Sequence, residues 1–245
     1  NYTILSDRAI YKKNDELITT SGNSKAKLDN ILIKGEIFEY YKLTNIFNLK
    51  KKVIIFDEIN DDEIISENIN YDKNKEIFIS KGFTKSNIQS KYNLDSSDIV
   101  FLRNEMEIIS DKKTNLYDDQ NNYYRLSKFK YNIKKKSLKG ENVIVTTNYN
   151  LPKSDKLFFK SGFFNFSDKE FLAKDTKILL HSDLFGVPEN NPRIKGVSSS
   201  GKDGITTINK AIFTSCKNEN DKCPPWSISA KKIEHDKNKK QLIYN

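Results

Sequence analysis

"SENINYDKNKEIFI" (Ser66–Ile79) and "SAKKIEHDKNKKQLIY" (Ser229–Tyr244) read as two copies of one device. In each, alternating apolar and polar residues run into a four-residue turn, Asp72-Lys73-Asn74-Lys75 or Asp236-Lys237-Asn238-Lys239, and a second run leaves it. Asp and Asn favour such turns because their side chains hydrogen-bond the neighbouring backbone. Alternation with period two marks strands with one dry and one wet face. A ring stands just before each turn, Tyr71 in one copy and His235 in the other. The fold class follows: all-β, built from repeated antiparallel strand pairs.

Weaker copies begin at Ser6 ("SDRAIYKKNDELIT") and Ser127 ("SKFKYNIKKKSLKG"), and Tyr11, Tyr71 and Tyr131 recur at equal intervals. Glycines in "TTSGN", "ISKGF", "SLKGEN" and "FKSGFF" are read as strand ends. "KEFLAKDTKILLHSDLF" (Lys169–Phe185) has an apolar pattern that fits helix or strand and is read as strand. Strand pairs stacked in order build a quasi-one-dimensional sheet. No compositional break interrupts the chain, so residues 1–245 are expected to form a single domain.

Alternation also nominates an inner face. In "DIVFLRNEMEIIS", Val100, Leu102, Met106 and Ile108 point one way and Arg103, Glu105 and Glu107 the other. In "KFKYNIK", Phe129, Tyr131 and Ile133 alternate against Lys128, Lys130, Asn132 and Lys134. The expectation is a common apolar interior, with Arg103 and Lys130 outside. An ordinary closed core is the plainer alternative.

Composition excludes several classes. With 36% hydrophobic residues in regular alternation, the chain is not disordered, and no apolar run is long enough for a spanning helix. The net charge of +9 fits an anionic partner. Its lysines are nevertheless scattered, and no recognition helix, RNP motif or finger spacing points to nucleic acid. The chain opens directly on a strand pattern, so any targeting segment is expected outside this sequence.

No motif for catalysis is present: no G-x-S-x-G, no P-loop, no paired carboxylates. Cys216 and Cys223 are too widely spaced for a zinc pair, and His181 lies far upstream. "DKNKE" lacks the glycine and terminal Glu of a calcium loop. No enzyme, metal or cofactor is expected. Between the cysteines, "KNENDK" is polar and turn-like, which allows a local disulfide worth roughly 2.5 kcal/mol in chain entropy. Pairing with a segment outside this sequence is the alternative. Either places the chain in an oxidising compartment.

Both ends of the chain resemble the LptD (OstA) family of outer-membrane lipopolysaccharide-assembly proteins. "AIFTSC" followed by "PPWSISAKKIEHDKNKKQLIY" resembles the segment before that family's barrel, with Phe213, Thr214, Cys216, Trp226, Ile228, Ala230, Ile233 and Asp236 on its pattern. "ILSDRAIYKKNDELITTSGN" resembles its N-terminal repeat. Asp7, Ala9, Tyr11, Gly22 and Asn23 match there, and Ser6 replaces the usual alanine. Residues 30–165 match only in strand rhythm.

The resemblance implies an elongated, twisted, open β-jellyroll of the LptA type on the periplasmic side of the outer membrane. Residues from about 205 to 245 would lead into a barrel outside this sequence. It implies a non-enzymatic function: lipopolysaccharide received from an LptA-type bridge protein, held by its lipid A acyl chains, and passed to the chain's own barrel and an LptE-type lipoprotein. It also implies a docking edge for the bridge protein, assigned to Thr3, Ile4, Leu5, Ser6, Asp7, Arg8, Ala9 and Ile10. The family joins N-terminal cysteines to barrel cysteines. Cys223 departs from that pattern and makes a Cys216–Cys223 bridge the competitor. Other readings are a self-contained LptA- or LptC-like bridge subunit, which would lack the Cys–Trp motif, and a β-repeat adhesin without lipid.

Overall fold

The computed structural model describes residues 2–28, 30–185, 189–217 and 224–245. It is all-β: among these residues the single helical piece is a 3-10 turn at Ser182–Phe185, and every strand pairing given below is antiparallel. Where sequence reasoning expects one domain over 1–245, contacts divide the chain into two compact units. The first comprises residues 1–119 and 132–134; the second comprises 120–131 and 135–245.

In the first unit, β1 (Tyr2–Leu5) and β2 (Arg8–Lys12) share one partner, β3 (Leu17–Leu28). A meander follows through β4 (Ile31–Tyr41), β5 (Ile46–Asp57), β6 (Asp62–Asp72) and β7 (Ile77–Ile88), each paired to the last. Two shorter strands, β8 (Tyr92–Ser97) and β9 (Val100–Leu102), share β7. Then β10 (Glu107–Ser110) pairs with β9, and β11 (Thr114–Tyr117) with β8.

The second unit holds β12 (Tyr123–Leu126), most of β13 (Lys128–Asn132), β14 (Ser137–Thr146), β15 (Lys156–Asn165), β16 (Glu170–Leu179), β17 (Arg193–Lys202), β18 (Ile205–Thr214), β19 (Ile228–Asp236) and β20 (Gln241–Tyr244). From β14 to β20 each strand pairs with the next, and β12 joins β14. The ambiguous 169–185 stretch is thus strand β16 followed by the 3-10 turn.

Long strands bend in the middle. Register shifts fall between Ser21 and Ser24, Lys34 and Ile37, Lys50 and Val53, and Ser66 and Asn68. Left-handed backbone sits at Gly22, Asn23, Lys51, Lys52 and Gly82, and in the second unit at Asn142, Asp175 and Lys210. A bulge adds a residue to one strand and turns it, so a line of bulges folds the sheet over. The glycines expected to end strands therefore lie inside them: Gly22 in β3, Gly82 in β7, Gly140 in β14, Gly162 in β15. At Gly82 the φ of 82° favours glycine. At Gly140 the reason is space, because a Cβ would come within 2.3 Å of Leu126.

Folding the sheet over brings the two halves of each strand face to face. Ile31 and Ile33 from one half of β4, and Phe38 and Tyr40 from the other, belong to one packed cluster with Phe47, Leu49, Tyr71 and Phe78. Rings stack from strand to strand: Tyr40–Phe47 at 4.2 Å, Phe47–Tyr71 at 6.1 Å, Tyr71–Phe78 at 4.0 Å, Phe78–Phe101 at 6.0 Å between centroids. Such pairs contribute about 0.5–1.5 kcal/mol each beyond their burial.

Tyr40 and Tyr71 each donate a hydroxyl hydrogen bond to the side chain of the left-handed residue closing their own turn, Asn45 at 2.7 Å and Glu76 at 2.9 Å. Those turn-closing residues are Glu16, Asn45, Glu76, Met106 and Lys136, a period of about thirty. In the first unit their carbonyls accept from the next turn, through the N–H groups of Lys42, Lys73, Arg103 and Ile133. The quoted turns behave as their sequence requires. Asp72 Oδ1 accepts from the Asn74 and Lys75 N–H groups, and Asp236 Oδ1 accepts from those of Asn238 and Lys239.

Candidate functional site

The interior between the folded halves is the first candidate. In the first unit, Ile31, Ile55, Ile64 and Ile88 face Phe101, Ile108 and Ile133 across a cavity of about 20 Å3, room for roughly one water. Near the bend the lining is polar: Thr20–Ser24, Thr84–Ser80 and Ser96–Thr114 are buried hydroxyl pairs at 2.7–2.8 Å. Thr176–Ser199 repeats the motif in the second unit at 2.7 Å. Small hydroxylated residues let the two walls close at the fold line, a role that alternation alone does not reveal.

Of the predicted interior residues, Ile108 and Ile133 line the first unit's cavity, and Phe129 and Tyr131 are buried in the second. Lys130 is exposed, as expected. Val100, Leu102 and Met106 require correction. Phe101, opposite Ile108, holds the inner position on β9. Val100 stands opposite Ile109 and beside Ile79, which is 38% exposed, so it belongs to the outer face with Leu102. Met106 closes the turn in left-handed backbone, φ 53°. Straight alternation does not survive that turn, because pairing 101 with 108 makes the inward set odd on β9 and even on β10.

The N-terminal edge is the second candidate. Thr3–Ile10 forms not one strand but two, broken at Ser6–Asp7, where Asp7 N–H donates to the Gly22 carbonyl at 3.0 Å. Asn23 donates to Asp7 Oδ2 at 2.9 Å, which ties the break to the bend. Among the described residues β1 and β2 pair on one side only, with β3, and Leu5 is 63% exposed.

The C-terminal motif is the third. Cys216 is half-buried, its carbonyl accepting from Arg193 at 2.7 Å. The Thr214 side chain, foremost, lowers its thiol pKa from the ordinary value. Thr214 also donates to the Trp226 carbonyl at 2.8 Å, and Trp226 packs on Phe213 at 5.9 Å between centroids. Cys223 lies outside the described residues, and with it the expected Cys216–Cys223 bridge.

Two further features escape sequence reasoning, one in each unit, and both join opposite margins of a folded sheet. In the first unit, Arg103 at the end of β9 donates to Glu76 at 2.7 Å and to Asn30 at 3.3 Å. Asn30 follows β3 on the other margin and donates to Asp57 at 2.6 Å. In the second unit the register sets Lys156, Leu179, Arg193 and Thr214 level on one margin, and Glu170, Lys202, Ile205 and Asp236 on the other. Asp155, just before β15, nevertheless meets Lys237, just after β19, at 3.1 Å. The same carboxylate accepts from the His181 N–H at 3.0 Å and lies 3.0 Å from His181 Nδ1. Asp155 is only 5% exposed, and His235, at 3%, stands beside it.

No protein-family model matches the chain, and no curated protein matches it either.

Proposed function

We propose that the chain is a non-enzymatic lipid-handling jellyroll of the outer-membrane lipopolysaccharide-assembly class, working on the periplasmic side. The observation that carries this reading is the folded sheet, whose apolar inner walls pack against each other and whose margins are tied by side-chain clasps. A margin that opens exposes a continuous apolar slot, and acyl chains bury there with about 0.8 kcal/mol per methylene. The half-paired β1 and β2 support docking of an LptA-type bridge protein by strand addition. Lipopolysaccharide would pass from that bridge towards a barrel and an LptE-type lipoprotein. The +9 net charge suits a phosphorylated headgroup at the rim.

A second reading has its own observation. The cavity of about 20 Å3 favours a closed β-repeat module that carries no lipid. Photo-crosslinking separates the two. A photoreactive residue at Phe101 or Phe129 should capture lipopolysaccharide, and one at Lys130 should not. Equal capture at all three sites, or none, selects the closed module.

A further inference from the structure

Both histidines of the chain, separated by more than fifty positions, converge on one buried carboxylate at the second unit's margins. His235 occupies the slot before the turn that Tyr71 fills in the matching repeat. An aromatic ring would satisfy the packing there, and a histidine adds a nitrogen that takes a proton. Its Nε2 is buried and has no hydrogen-bond partner among the described residues.

We propose that this cluster is a proton-operated latch: Asp155 holds the Lys237 turn to the segment before β15, and protonation of His235 releases it.

The charges facing His235 come from every segment around it. Asp155 before β15 and Asp236 on β19 favour its cation, while His181 after β16 and Lys237 in the following turn oppose it. Asp236 is already engaged, because it accepts the Asn238 and Lys239 N–H groups of its own turn. Burial is the largest influence and lowers the His235 pKa below its usual 6.5. The folded state therefore binds this proton less readily than the unfolded chain. Its contribution is full above pH 6.5 and is lost as pH falls through the folded value.

Asp155 behaves differently across that window. Its carboxyl is held below the usual 3.8, as Lys237 and the His181 hydrogen bonds outweigh the opposing effect of burial. Its grip is thus lost only in stronger acid. Once His235 is charged, a buried cation lies near the exposed Lys237 cation, and the Lys237 turn, already facing solvent, is the piece that can move. This inference is independent of what the interior binds.

Residue-resolved hydrogen exchange on the full chain between pH 7.5 and 5 tests it. The His181 amide, which donates to Asp155, and the Lys237 amide, which donates to Gly204, report the two sides of the latch. After correction for intrinsic rates, their protection should fall by up to tenfold per pH unit below 6.5, where the opened His235 takes up its proton and the folded one does not. In His235→Phe, and in His235→Tyr, which copies the matching repeat, that dependence should vanish. His181→Asn should keep it. Wild type and both His235 variants sharing one pH profile would overturn the proposal. So would protection of both amides that stays constant in wild type across this range.

Discussion

The two units solve the same mechanical problem with different chemistry. Each folds a bent antiparallel sheet until its margins touch, and each ties them with charged side chains. The first uses Arg103 with Glu76 and Asn30, and an arginine stays charged at every physiological pH. The second uses Asp155 with Lys237 and two histidines, groups that include the one side chain normally titrating near neutrality. Burial differs too. The Arg103 and Glu76 side chains are 23% and 24% exposed, whereas Asp155 is 7% exposed and the Lys237 that meets it 38%. A clasp of two half-wet partners stays indifferent to acid; one centred on a dry carboxylate beside a buried histidine can be made to sense protons.

The sharpest way to break the comparison is to remove each clasp's centre. Asp155→Ala strands Lys237 and leaves the His181 amide unpaired, so the second unit should lose about 3 kcal/mol. Urea unfolding read by residue-resolved exchange would measure it. Arg103→Ala, read in the same way, should cost the first unit only about 1 kcal/mol, because solvent screens its partners. Equal losses would erase the distinction between dry and wet clasps.

A smaller effect probes whether the first unit is as indifferent to pH as its clasp. Asp62 lines the cavity, and burial first, then Asp57 and Asp61, push its carboxyl up to about 6 despite the Gln89 N–H it accepts. A raised acid favours the fold below its unfolded value of 3.8, and that advantage is lost as pH rises through about 6. Asp62→Asn should therefore raise stability at pH 7.5 by about 1 kcal/mol after screening, and the gain should vanish by pH 3. Thermal unfolding at the two pH values checks it. A gain that persists at pH 3 would trace the effect to packing rather than charge.

Strand class and turns were legible because their causes are local. Asp72 and Asp236 cap the backbone two and three residues on, and alternation survives within any one strand. What the sequence hid is non-local or unmarked. Lys51, Lys52, Asp175 and Lys210 adopt left-handed backbone without a glycine to announce it, so the mid-strand bends were invisible. The glycines that do mark bends, Gly22 and Gly82, were read as strand ends. The inward parity changes between β9 and β10 because the turn closed by Met106 lies between them, which alternation alone does not show at Val100 and Leu102. His235 was recognised as a ring before a turn, but nothing near it in sequence names Asp155 or His181. The latch exists only once the sheet has folded over.

The stacked turns have a last consequence, for how such a chain can change length. In the first unit each turn-closing carbonyl is bonded by the next turn, and each ring lies on its neighbour's. Along the turns and the ring stack, each period therefore hands on to the next. Removing or duplicating a whole period of about thirty residues rejoins like with like, and shifts the stack by two strand spacings, about 10 Å. Losing fifteen residues instead would set a turn of one margin where a turn of the other belongs and bring the wrong margin to the clasp. Length in this sheet is quantised, and a family built this way would evolve by gaining or shedding whole rungs.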